Sequence, residues 1–119
     1  LAPCAIGGVI TEEIASVIPA RIVCGAANNQ LTGDRAGDIL HERGILYAPD
    51  YVANGGGIIN VAAEILQVPD RMHFVTERLS ALERMMAHIL DSAARAGTGP
   101  HRVADRIVAA RLSAGDAAA

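Results

Sequence analysis

The sequence predicts an α/β fold, a partial parallel sheet followed by C-terminal helices, and three observations predict it. Short apolar runs at 1–4, 21–27 and 45–48 alternate with helical patterns, the order that builds a parallel sheet with right-handed crossovers. Polar or glycine-rich segments follow these runs, as expected where the carboxyl ends of strands open toward a small ligand. Beyond residue 67 the strand-like runs stop and helical periodicity takes over.

Taken in order, residues 1–4 read as the tail of a strand, and the turn at 5–8 ends in two glycines that permit close backbone approach. Thr11 is placed as N-cap of a short helix over 12–18, with Glu12 and Glu13 in its first turn and Pro19 ending it. The β-branched run at 21–27, followed by Asn28, Asn29 and Gln30, reads as a buried parallel-type strand with a polar loop at its carboxyl end. Thr32 begins a helix through Arg43, with Ile39 and Leu40 inward and Gly44 as C-cap. The strand at 45–48 runs into a loop at Pro49 and Asp50, and Asn54 with three glycines opens a helical pattern over 58–67. Pro69 and Asp70 start a longer helix on which Met72, Val75, Leu79, Leu82, Met86, Ile89 and Ala93 recur at spacings of three and four. That stripe is core or interface, with packing on its own domain favoured over a coiled-coil seam. The Gly-Thr-Gly-Pro break at 97–100 precedes a last helix over 102–112, and the tail after Ser113 is expected to be disordered.

Composition narrows the function. The 119 residues are 51% hydrophobic and 19% charged, enough for one compact core, and with one Phe, two Tyr and no Trp that core relies on close helix packing. The net charge of -3, with its arginines scattered, leaves no electrostatic footprint for nucleic acid. No apolar run reaches the about 20 residues that span a bilayer, so neither nucleic acid nor membrane is expected as a partner, and a cytoplasmic setting is. Cys4 and Cys24 lack metal-site spacing, and buried free thiols are the preferred reading. All ten basic residues are arginine, so the chain supplies neither a Schiff-base lysine nor a lysine general base. Opening without Met inside an apparent strand, the chain is expected to be a fragment.

Candidate chemistry is sparse. Asp50 and Glu64 show no spacing that names acid/base catalysis, and solvated or capping roles are expected for them. His41, His73, His88 and His101 stand alone on helices, without the spacing of a zinc pair, and no metal is expected. The triple glycine at 55–57 could cradle a phosphate or simply let a helix start close against a strand; it lacks the spacing of a GxGxxG motif. Asn28 is the better candidate, because an amide at a strand end can donate to a carboxylate and accept from a hydroxyl, with an Asx-turn role as the alternative.

Several runs together resemble one family, the Glu/Leu/Phe/Val amino-acid dehydrogenases, and especially the leucine, valine and phenylalanine branch. They are Leu-Ala-Pro-Cys-Ala-Ile-Gly-Gly-Val-Ile at 1–10, Gly-Ala-Ala-Asn-Asn-Gln at 25–30, and Leu-His-Glu-Arg-Gly-Ile-Leu-Tyr-Ala-Pro-Asp-Tyr-Val-Ala-Asn at 40–54. Asn60-Val61-Ala62 continues the match and Val103-Ala104-Asp105-Arg106 is similar to the family's closing helix.

The resemblance implies the C-terminal part of a two-domain enzyme: the later strands of an NAD-binding Rossmann-like domain over 1–67, terminal helices over 68–113 packing back toward an absent catalytic domain, and a disordered tail over 114–119. It implies NAD as cofactor and oxidative deamination of an L-amino acid to a 2-oxo acid, ammonia and NADH. Hydride leaves the α-carbon for the nicotinamide, and a lysine base then helps water attack the imine. That lysine and the glycine-rich phosphate loop lie upstream in the family, so no catalytic residue is expected here and the fragment alone is expected to be inactive. By the same resemblance Ala5, Ile6, Ala26, Ala27 and Asn28 bind the cofactor, and Asn28, Ile58 and Val61 contact the substrate. Branched side chains at Ile58 and Val61 narrow the pocket, favouring leucine or valine. Gly55 stands where the family usually has alanine, a departure expected to loosen the loop. The expected partners are the L-amino acid, the missing N-terminal catalytic domain and further copies in a homo-oligomer. The competing reading is a noncatalytic α/β binding or assembly module that kept the fold; an upstream lysine-bearing segment and GxGxxG would separate the two.

Overall fold

The computed structural model of the chain describes residues 1–116. Its elements are α1 (Glu12–Val17), β1 (Ile22–Val23), α2 (Asp34–Glu42), β2 (Leu46–Tyr47), α3 (Asp50–Ala53), α4 (Gly56–Ile65), α5 (Arg71–Ala96) and α6 (Pro100–Asp116). The fold is α/β: β1 and β2 pair in parallel, Ile22 with Leu46 and Val23 with Tyr47, and the helices from α3 onward follow them.

The expected first strand pairs without becoming regular. The Leu1 amino group donates to the Ile22 carbonyl at 2.8 Å, and the Leu1 carbonyl accepts from Cys24 N–H at 3.0 Å. The expected burial of β1 is only half observed. Side chains alternate across a strand, so Val23 enters the core while Ile22 and Cys24 face outward. Both cysteines are free and exposed, which corrects the expectation of buried thiols: among the described residues no second layer covers their face of the sheet.

Helix ends follow local chemistry. Thr11 caps α1, its hydroxyl accepting from Ile14 N–H at 3.1 Å, and Asp70 caps α5 through His73 N–H at 3.0 Å. At the end of α2, Gly44 takes φ +69°; its N–H reaches the His41 carbonyl and Ile45 N–H the Leu40 carbonyl, the paired bonds of a Schellman motif. The end of α4 repeats this with a non-glycine residue, Gln67 at φ +49°. α6 runs through Asp116, and the remainder of the expected tail, 117–119, lies outside the described residues.

Two apolar clusters result. Ile10, Val23, Leu40, Ile45 and Tyr47 pack between α1, α2 and the sheet, while Val52, Ile89, Ala93, Val103 and Ala104 join α3, α5 and α6. The second half of the expected α5 stripe is buried against α3 and α6, whereas its first half meets only α4, where Arg71 donates to Asn60 Oδ1 at 3.0 Å, and leaves Met72 and Leu79 exposed. The seam between the clusters is closed by Arg102, which grips the Asp38 carboxylate with two bonds of 3.1 and 2.7 Å and reaches Asp34 at 2.9 Å. The Arg102 hydrogen bonds hold the Asp38 carboxyl below its ordinary range. His101 is buried beside them, packed so closely on α2 that a Cβ on Gly37 would lie 2.5 Å from its ring.

Candidate functional site

β1 delivers the chain into the loop at 25–30, and the residue that shapes this loop is Gln30, which is fully buried. Its Nε2 donates to the Gly25 carbonyl at 2.8 Å and to the Ala27 carbonyl at 2.9 Å, folding the loop over its own side chain. Its backbone N–H donates to Asp50 Oδ2 at 2.8 Å, and the Tyr47 hydroxyl donates to the same oxygen at 3.0 Å. Burial, reinforced by the Asp50 carboxylate, pushes the Tyr47 phenol above its ordinary range, so it remains a donor. Asp50 is thus a buried acceptor, correcting the solvated or capping role expected of it, because it starts α3 directly beneath the loop that follows β1.

Asn28 stands exposed on that loop. Its Oδ1 accepts a hydrogen bond from Asn54 Nδ2, which also lies 3.5 Å from the Ala26 carbonyl. Among the described residues the Asn28 Nδ2 has no protein partner. The turn at 5–8 lies against the same loop: Gly8 N–H donates to the Asn29 carbonyl at 2.7 Å, and a Cβ on Gly7 would sit 2.5 Å from the Asn28 carbonyl oxygen. Ala5, Ile6 and Ala26 are exposed there, whereas Ala27 is buried, its N–H donating to the Pro3 carbonyl at 3.0 Å. Four of the five expected cofactor contacts therefore offer surface at the carboxyl end of the strands, and Ala27 holds the loop from beneath.

The expected loop at 49–54 is a helical turn, α3, which runs almost directly into α4. The Asn54 and Gly55 N–H groups are engaged with the Asp50 and Val52 carbonyls at 2.8 and 3.3 Å, and the glycine run joins α3 to α4, with Gly55 as N-cap and Gly56 and Gly57 in the first turn of α4. Gly55 is buried; a Cβ there would lie 2.8 Å from the end of the Leu82 side chain, so the missing methyl admits α5. On α4, Ala63 turns inward while Ile58 and Val61 are 74% and 49% exposed, and Ile65 continues the same outward face. Asn54 and Ile58 are four residues apart, about one helical turn.

A larger apolar hollow, ≈ 510 Å³, lies elsewhere, between α3, α4, α5 and α6, lined by Val52, Ile59, Leu82, Met85 and Ile89 among others. It is the unfilled seam of helix packing and holds none of the candidate site residues. Among the described residues there is no cluster of three or more metal-ligating side chains, and no helix is long and apolar enough to cross a membrane.

Sequence reasoning missed Gln30, Asp50 and Asn54 as the residues that build the site. The only local signal was their position, polar residues next to the carboxyl ends of two strands that pair.

Parallel strands whose carboxyl-end loops converge on one outward amide define the ligand-facing end of an α/β domain of the dinucleotide-binding kind. Residues 1–115 match the Glutamate/Leucine/Phenylalanine/Valine dehydrogenase family, and the chain belongs to it. It is 39% identical over 112 residues to the leucine dehydrogenase of Bacillus cereus, covering 94% of this chain and 30% of that protein. It is 42% identical over 110 residues to the phenylalanine dehydrogenase of Caldalkalibacillus thermarum, covering 92% and 29%. The crystal structure of L-tryptophan dehydrogenase from Nostoc punctiforme superposes with a TM-score of 0.77 at 33% identity, over 94% of this chain and 34% of that one. The chain thus spans about a third of the length of these relatives.

The exposed Ala5, Ile6 and Ala26 with the Asn28 amide would suit a flat ring bearing a carboxamide, such as nicotinamide. The described residues contain no GxGxxG loop for the pyrophosphate.

Proposed function

We propose that this chain forms the C-terminal part of an NAD-dependent L-amino-acid dehydrogenase that oxidises a branched-chain amino acid, leucine or valine, to its 2-oxo acid with release of ammonia. The observation that supports the reading is the Asn28 amide held by Asn54 at the end of α3, with Ile58 and Val61 exposed on the helix that follows. When bound, NAD accepts the hydride from the α-carbon. The chain's own residues bind and orient: Ala5, Ile6, Ala26 and Asn28 form the shelf for the nicotinamide, and Ala27 supports it. Asn28 Nδ2 donates to the amino acid, limiting rotation of its α-carbon against the ring. Ile58 and Val61 wall the side-chain pocket, where two branched aliphatic residues leave room for an isobutyl or isopropyl group and crowd an aromatic ring.

The proton transfers belong to residues outside these 119, which contain no lysine. A lysine-bearing catalytic domain completes the cleft, in a cytoplasmic homo-oligomer. Steady-state rates of amino-acid-dependent NAD reduction by the full-length chain test the reading. The expected result is kcat/KM for leucine or valine above that for phenylalanine, and phenylalanine exceeding both would overturn it.

A further inference from the structure

The orientation of the Asn28 amide is set by its neighbours. A backbone carbonyl can only accept, so the Ala26 carbonyl, at a long 3.5 Å, favours the nitrogen end of the Asn54 amide. That NH₂ carries two hydrogens, and the second is directed at Asn28. Asn28 must then present its oxygen inward, to Asn54, and its own NH₂ outward. The polarity passes from a fixed carbonyl through one amide to the next, and the outer end of the chain is a donor.

We propose that Asn54 is a positioning residue that locks Asn28 as an outward-facing hydrogen-bond donor, the polarity needed for a carboxylate or carbonyl oxygen of the amino acid. This rests on the reading of Asn28 as a substrate contact. The placement favours it: Asn54 ends α3, whose first residue, Asp50, holds the same loop through Gln30, so one helical turn fixes both the backbone and the amide. Freed from Asn54, the Asn28 amide can turn over and present its oxygen, which repels a carboxylate.

The test is a double-mutant cycle on kcat/KM for leucine in the full-length chain, with thermal midpoints recorded alongside. Asn54→Ala should lower kcat/KM about 10-fold. Asn54→Asp, nearly the same shape, should lower it further, up to about 100-fold, because the introduced carboxylate accepts from Asn28 and turns its oxygen outward. In an Asn28→Ala background neither substitution should cost more than about 2-fold, since Asn54 acts through Asn28. Equal losses in both backgrounds would overturn the positioning role and leave Asn28 as a substrate contact. An Asn28→Ala enzyme with undiminished kcat/KM would overturn the reading of Asn28 and the positioning role with it. Asn54→Asp keeps the test alive if Asn54→Ala fails to fold.

Discussion

The backbone N–H of Gln30 donates to the carboxylate of Asp50, 2.8 Å away, across twenty residues of sequence. This bond ties the loop after β1 to the first residue of α3, and Tyr47 at the end of β2 donates to the same oxygen. The three groups are buried together, so each hydrogen bond is made without competition from water, and the loss of the acceptor leaves two buried donors unpaired.

Asp50→Ala should therefore destabilise the chain by about 3 kcal/mol, the cost of two orphaned buried donors. Asp50→Asn, which still offers an oxygen, should cost less than half of that. Urea unfolding of the three proteins measures both; equal midpoints for Asp50→Ala and the parent would remove Asp50 from its place under the loop.

How much of this was legible beforehand depended on how local its cause is. The Thr11 cap, the helix start at Pro69 and Asp70, the Gly44 stop and the break at 97–100 are decided by a few neighbouring residues and read correctly. So did the parallel pairing of 21–27 with 45–48, although regular strand survives for only two residues in each. The burial of Asp50 was not legible, because a carboxylate is buried only when donors come to it, and its donors sit on another loop and another strand. The turn α3 has four residues, too few for a periodicity to register. The α5 stripe showed its period but not what lies opposite, and Met72 and Leu79 face outward. Asn28 was singled out from its chemistry and Ile58 and Val61 from the family resemblance; that Asn54 ties Asn28 to the end of α3 needed the fold.

Arg102 ties α6 to α2 through Asp38, and its hydrogen bonds depress the Asp38 carboxyl. A carboxyl whose folded pKa lies below its unfolded value stabilises the fold above the unfolded pKa and loses that contribution as pH falls through the folded pKa. The thermal midpoint of the parent should exceed that of Asp38→Asn at neutral pH, and the gap should close as pH is lowered below about 4. A gap that stays constant down to acid unfolding would show that the pair adds no pH-dependent stability.

Gln67 occupies the left-handed position that glycine fills at the ends of α2 and α5. It is exposed and makes its Schellman bonds through the backbone, to the Glu64 and Ala63 carbonyls via Gln67 N–H and Val68 N–H at 3.1 Å each. Gln67→Gly should relieve the strain of a β-carbon at positive φ and stabilise the chain by about 0.5–1 kcal/mol. A lowered thermal midpoint would mean that the glycine's greater unfolded-state freedom outweighs the relief.

The central claim is that the outward face of α4 bearing Ile58 and Val61 is the wall of the amino-acid side-chain pocket. Ile58 is 74% exposed and belongs to neither core cluster, so its truncation should enlarge the pocket without touching either. The direct measurement is the ratio of kcat/KM for phenylalanine to that for leucine in the full-length chain, before and after Ile58→Ala. The account predicts that this ratio rises about 10-fold, the discrimination that one to two methylene groups in an apolar pocket provide. A ratio unchanged by Ile58→Ala would contradict it.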